Sequence, residues 1–159
     1  MNILFSHISI AVCIVLCIVA CKEEDLPPSQ GMLYLSLDCP SGVSADNISI
    51  KGVGVDSMIY DSINSKTFLL PMSIIDDVFR YQINFNKDST NAEIDFLEVY
   101  TTKEETFDNY SDGIYYIYTI DSFRTTMNAI DSAFFIYNIV DQKQYENIRL
   151  YYSVDTTAL

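Results

Sequence analysis

A single thiol behind small and branched apolar residues is the first feature of this sequence with chemistry in it. Ile18-Val19-Ala20-Cys21 reads as a bacterial lipobox. In such a box the Cys sulfur takes a diacylglyceryl group. A peptidase then cuts behind the small residue and frees the Cys amino group. The preceding chain fits an export signal, because residues 1–20 hold no Asp, Glu, Lys or Arg and Ile8 to Val19 is almost wholly apolar. The start departs from the usual pattern, since Met1-Asn2 offers only the terminal amine where Lys or Arg is common. The alternative is an uncleaved transmembrane anchor. It would need the apolar stretch to run through Ser6, His7 and Ser9 to reach about 18 residues, the lower limit for spanning. The lipobox favours cleavage, with Cys21 as the lipid-attachment residue.

Removal of residues 1–20 narrows the remaining chemistry. The sole His, His7, leaves with the signal, as do Cys13 and Cys17. Ser-His-Asp and Cys-His catalysis are then excluded, as are His-bearing zinc sites and thiolate cages. Only Cys39 keeps a thiol, so the four cysteines are no disulfide framework. Cys39 is expected to be a small buried hydrophobe near a strand end, with an intermolecular disulfide as the sharper alternative. No S-x-x-K, G-x-G-x-x-G or G-x-x-x-x-G-K-[ST] pattern occurs. Two carboxylates alone can hydrolyse a glycoside, but nothing in the spacing of the 22 acids selects a pair. Two stretches concentrate oxygen donors, Asn86 to Glu93 and Asp108 to Asp112. Neither fits a calcium loop of the D-x-[DN]-x-[DN]-G type, and the turn preference of Asp and Asn explains both. The expectation is no catalytic residue, no metal and no cofactor.

The elements that must carry any site follow from composition and period. A chain of 159 residues, 49% apolar and 13% aromatic, suits one domain with a core. Nine basic against 22 acidic residues, a formal charge of −13, argues against nucleic acid as a partner. Cys21-Lys22-Glu23-Glu24-Asp25 starts an acidic tether over residues 21–31. The residue after Cys21 is Lys, not the Asp that retains many lipoproteins in the inner membrane. The acidic run resembles the export signal of surface lipoproteins of the Bacteroidota. Leu26 to Gly31 reads as a short stiff spacer, because Pro27 and Pro28 fix φ.

Residues 32–159 read as strands. Met32 to Leu37 is apolar-rich. Asn47 to Val55 alternates around Ile48, Ile50 and Val53, and Ser57 to Tyr60 continues it. Lys66 to Leu70 stops at Pro71. Phe79, Tyr81, Ile83 and Phe85 share one face of a period-2 segment. Glu93 to Tyr100, Ile114 to Ile120, Ile130 to Ile139 and Asn147 to Val154 complete the series. About eight strands at this spacing, with no long helical stripe, predict an all-β fold. The architecture expected is a single antiparallel β-sandwich, immunoglobulin-like or related.

The order of these segments resembles a family of small uncharacterised Bacteroidota lipoproteins, a domain of unknown function. The resemblance rests on Gly52-Val53-Gly54-Val55-Asp56-Ser57-Met58-Ile59-Tyr60, Phe68-Leu69-Leu70-Pro71-Met72 and Ile94-Asp95-Phe96. Ile130-Asp131-Ser132-Ala133 and Glu146-Asn147-Ile148-Arg149-Leu150-Tyr151-Tyr152 carry it further, so that it spans most of residues 32–152. Members often carry Cys-Gly where this chain has Asp112-Gly113. The resemblance implies no assigned activity and no functional residue.

The expectation is therefore a non-enzymatic lipoprotein held in the outer membrane through Cys21, with an outward-facing position on the cell surface as the further step. It would serve as an accessory or interaction module for another envelope protein. The alternative is glycan binding through exposed Tyr and carboxylates; a carboxylate-only hydrolase is a third. Twelve Tyr occur without a Trp. Tyr115, Tyr116 and Tyr118, and again Tyr151 and Tyr152, fall on both faces of a strand, so some of them should point outward.

Overall fold

The computed structural model describes residues 31–39, 47–86, 92–107, 114–141 and 143–152. All elements among them are strands: β1 (Met32–Asp38), β2 (Ile48–Gly52), β3 (Met58–Ile63), β4 (Thr67–Pro71), β5 (Val78–Phe85), β6 (Glu93–Phe107), β7 (Ile114–Thr125), β8 (Ile130–Phe135), β9 (Ile139–Val140) and β10 (Ile148–Tyr152). They form a four-stranded sheet, β4-β1-β10-β8, and a six-stranded sheet, β3-β2-β5-β6-β7-β9. The two make a sandwich-like all-β fold. Cys21, the acidic tether and the Asp112-Gly113 pair lie outside the described residues.

Alternation builds both inner faces. Leu33, Leu35 and Leu37 of β1, Phe68 and Leu70 of β4, and Ile148, Leu150 and Tyr152 of β10 are buried from one side. Phe79, Tyr81, Ile83 and Phe85 of β5, Leu97 and Val99 of β6, and Tyr118 and Ile120 of β7 meet them from the other. All belong to one hydrophobic cluster, and Phe85 stacks on Tyr152 with ring centroids 4.8 Å apart. The expected shared face of Phe79, Tyr81, Ile83 and Phe85 is the inner one. Cys39, directly after β1, is half-buried and packs against this cluster.

Three features depart from the expected sandwich. First, β1 pairs with β10 in parallel, Leu35 opposite Ile148 and Leu37 opposite Leu150. An all-antiparallel pair of sheets is thus corrected at one ladder, because the chain returns to β10 from the opposite sheet rather than by a hairpin. Second, the Ile130 to Ile139 segment is two strands in different sheets, β8 and β9. Third, β6 and β7 run on to Phe107 and Thr125; with the split into β8 and β9, the strands number ten among the described residues.

The chain passes between sheets six times, and buried polar side chains fix the passages. Asn147 is buried and fully engaged. Its Oδ1 accepts from the Tyr34 amide at 2.9 Å, and its Nδ2 donates to the carbonyls of Tyr137 at 3.0 Å and Ile139 at 2.8 Å. Tyrosine hydroxyls do related work: Tyr81 donates to the Pro71 carbonyl at 2.8 Å and Tyr118 to the Ser73 carbonyl at 3.1 Å. Both rings lie in the six-stranded sheet and reach the segment that leaves β4. Burial pushes both phenols above their ordinary range. Gly31 shows how tightly Tyr118 is held, since a Cβ there would sit 2.5 Å from its ring.

Asp95 on β6 is the most heavily used of these groups. It is fully buried. Its Oδ1 accepts from Thr126 Oγ1 at 2.6 Å and the Asn128 amide at 2.9 Å. Its Oδ2 accepts from the Ala129 amide at 2.8 Å and the Ile130 amide at 3.0 Å. One side chain of the six-stranded sheet thus holds the whole crossover from β7 to β8. An amide in its place can accept on one oxygen only and turns its NH₂ toward backbone donors. Asp95→Asn should therefore cost about 2–4 kcal/mol. Denaturant unfolding of the variant checks this; a midpoint unchanged from the parent would contradict it.

Candidate functional site

On the outer face of the six-stranded sheet, three charged residues stand in one row across three strands. Arg80 of β5 lies opposite Glu98 of β6, which lies opposite Arg124 of β7. The neighbouring positions on β6 are Phe96, 43% exposed, and Tyr100. Phe96 and the charged row, together with Val53, Leu97, Thr125 and Thr126, line a groove of about 280 Å³. Val53 reaches it because its amide donates to the Arg80 carbonyl at 2.8 Å, extending the end of β2 along β5. Gly54, with φ +82°, then turns the chain away.

Arg80 is on this face by simple alternation, since Phe79 and Tyr81 point inward. Arg124 is not. On β7, Tyr118 and Ile120 face the core, and unbroken alternation would turn Ser122 and Arg124 inward with them. A bulge prevents this. Tyr100 pairs with Ser122 but Thr101 pairs with Ile120, so Asp121 is one residue too many on β7. The phase flips there. Phe123 then turns inward to meet Phe135 with centroids 5.0 Å apart, and Arg124 turns out beside Glu98.

Glu98 is claimed on both oxygens. Arg80 Nε donates to Oε1 at 2.5 Å and the Tyr100 hydroxyl donates to Oε2 at 2.5 Å. The Tyr100 hydrogen bond first, then Arg80 and the charge of Arg124, hold the Glu98 carboxyl below the usual carboxylate range. The same hydrogen bond raises the Tyr100 phenol. Arg124 is placed differently from the other two arginines. Arg149 is bound in bidentate fashion by Glu146, both bonds 2.7 Å. Arg124 lies over the Tyr100 ring, 5.7 Å from its centroid, and forms no salt bridge among the described residues. The row carries two positive charges and one negative in a chain of formal charge −13.

The residues singled out from the sequence lie elsewhere. Both oxygen-rich stretches fall largely outside the described residues, as does Cys21. Among the described residues no three His, Cys, Asp or Glu side chains cluster as metal ligands do. Of the tyrosines expected on both strand faces, Tyr118 and Tyr152 are buried, and Tyr115, Tyr116 and Tyr151 are half-buried. The more exposed one is Tyr145, which meets Tyr137 edge-on at 5.5 Å. The guanidinium row was not singled out by sequence reasoning. Alternation along β5 points to Arg80, but Arg124 requires the bulge.

The model of a family of unknown function (DUF6452) matches residues 47–152. The chain belongs to this family. The DUF6452 match begins just before β2 and ends with β10, so it contains the whole guanidinium row and both Asp95 and Asn147. β1, the strand between β4 and β10, precedes it. No curated protein and no solved structure matches the chain.

The lowered Glu98 pKa sets a pH dependence. A carboxylate depressed in the folded state contributes above its unfolded value and loses that contribution as pH falls through the folded one. The Arg80–Glu98–Tyr100 linkage should hold down to pH values below the ordinary 4.5 and open beneath that. Carboxyl-resolved NMR should find the Glu98 midpoint below 4.5 in the parent and higher in Tyr100→Phe. An identical midpoint in the two proteins would show that the Tyr100 hydrogen bond is not what lowers it.

Proposed function

We propose that this chain is a lipid-anchored, non-enzymatic protein of the bacterial cell envelope, in which Cys21 tethers one β domain that serves as an interaction module for another envelope protein. The observation that carries this reading is the lipobox Ile18-Val19-Ala20-Cys21 at the end of an uncharged apolar run. The acidic residues that follow, and the resemblance to small Bacteroidota lipoproteins, support the outer membrane, with the domain facing outward, as its location. The interaction role is supported by large side chains left on the surface of the small sheet and its connections. Phe134 is 53% exposed and meets Tyr151 edge-on, and Ile136 beside it is also exposed.

Glycan binding is a second reading. It is favoured by the exposed Tyr137–Tyr145 pair, whose rings offer apolar area and hydroxyls at small entropic cost. A glycan array probed with the parent and with Tyr145→Ala separates the two readings: glycan signals lost in the variant belong to the second alone.

The anchor is tested by expressing the chain and its Cys21→Ala variant in a bacterium that processes lipoproteins, with labelled palmitate and envelope fractionation. The parent should be labelled, processed and recovered with the outer membrane. The variant should lose the label and stay unprocessed. A variant that keeps the parent's processing and location would remove the lipid anchor and favour a transmembrane one.

A further inference from the structure

We propose that the groove between Arg80 and Arg124 docks an extended segment of a partner protein that presents a carboxylate next to an apolar side chain. This deepens the interaction-module reading and rests on it. A guanidinium carries five N–H groups in a planar fork suited to a carboxylate. Arg149 shows that fit within this molecule, taking both oxygens of Glu146. Arg124 has the Tyr100 ring on one side and a groove on the other. Glu98, directly opposite, is already occupied by Arg80 and Tyr100. Arg124 is therefore held in place by stacking while its fork is left to a ligand.

The rest of the groove selects what accompanies the carboxylate. Its floor and walls include Val53, Phe96, Leu97, Thr125 and Thr126. The two threonine hydroxyls are engaged: Thr125 Oγ1 donates to the Thr126 carbonyl at 2.9 Å, and Thr126 Oγ1 donates to Asp95 while accepting from the Phe96 amide at 2.8 Å. Few polar atoms remain to match the many hydroxyls of a sugar. An apolar side chain fits better, seated on Phe96 with its neighbouring carboxylate on Arg124. Local charge favours the same occupant, because the groove is lined by two guanidiniums against one carboxylate, a basic spot on a chain of formal charge −13 to which a carboxylate is drawn.

The test is equilibrium binding to the full chain in non-denaturing detergent. The probes are a fluorescein-labelled acetylated peptide pairing one phenylalanine with one glutamate, its glutamine twin, and free glucuronic acid as competitor. The glutamate peptide should bind at least about tenfold more tightly than the glutamine peptide, and the preference should shrink as salt is raised. Arg124→Gln should abolish the preference, and Arg149→Gln, altered on the other sheet, should retain it. Circular dichroism of each variant establishes that it is folded. Equal binding of the two peptides, or an unchanged preference in folded Arg124→Gln, overturns the proposal. So does glucuronic acid displacing the probe at lower concentration than unlabelled peptide, which would make the groove a site for acidic sugars. Failure of the anchor is read separately, in the fractionation of Cys21→Ala.

Discussion

A carboxylate withdrawn from water is tolerated only when donors meet both its oxygens. Asp95 is met by four, three of them backbone amides of consecutive residues in a crossover that has no ladder of its own. The arrangement does two things at once. It aims the chain out of the six-stranded sheet and into β8, whose inner residue Ile130 is buried in the common core. It also fixes Thr126 against Phe96, through bonds in both directions, from the Phe96 amide to Thr126 Oγ1 and from the Thr126 amide to the Phe96 carbonyl at 3.1 Å. The end of β7 is therefore rigid where Arg124 leaves it. Sheet passage and surface groove depend on the same side chain.

The bulge at Asp121 is the second constraint, and it shows how a small change in register creates a site. Six-stranded sheets of this kind present alternating residues to core and solvent. One added residue exchanges the faces. Before the bulge β7 buries Tyr118 and Ile120; beyond it, Phe123 turns inward and Arg124 outward. The aromatic contact of Phe123 with Phe135 stabilises the shifted phase from inside. The Arg124–Tyr100 contact does so from outside.

Period 2 makes much of the architecture legible in the sequence. The inner faces of β1, β5 and β10 follow from alternation alone, and so does Arg80. The features that escaped are long-range. Nothing local tells β1 to lie parallel to β10, because that choice depends on which sheet the chain returns from. Ile130 to Ile139 looks like one apolar run, yet the amides of Ile136 and Tyr137 bond to the Asn147 carbonyl and divert it. The abundance of Tyr suggested surface contact. Tyr81 and Tyr118 instead use their hydroxyls to bridge sheets, a role set by carbonyls of Pro71 and Ser73 that are distant in sequence. Arg124 was hidden for the same reason: a bulge is a property of two strands.

Because Asp95 holds both the crossover and the end of β7, the most direct measurement is amide hydrogen exchange across the β7–β8 crossover of the full chain. The Ala129 and Ile130 amides point at Asp95 Oδ2 in a buried site. They should exchange as slowly as the core amides of Leu97 and Val99, through openings that approach global unfolding. Exchange at Ala129 and Ile130 as fast as in solvent-exposed turns would mean that the carboxylate does not hold the crossover, and that neither the passage to β8 nor the placement of Arg124 depends on it.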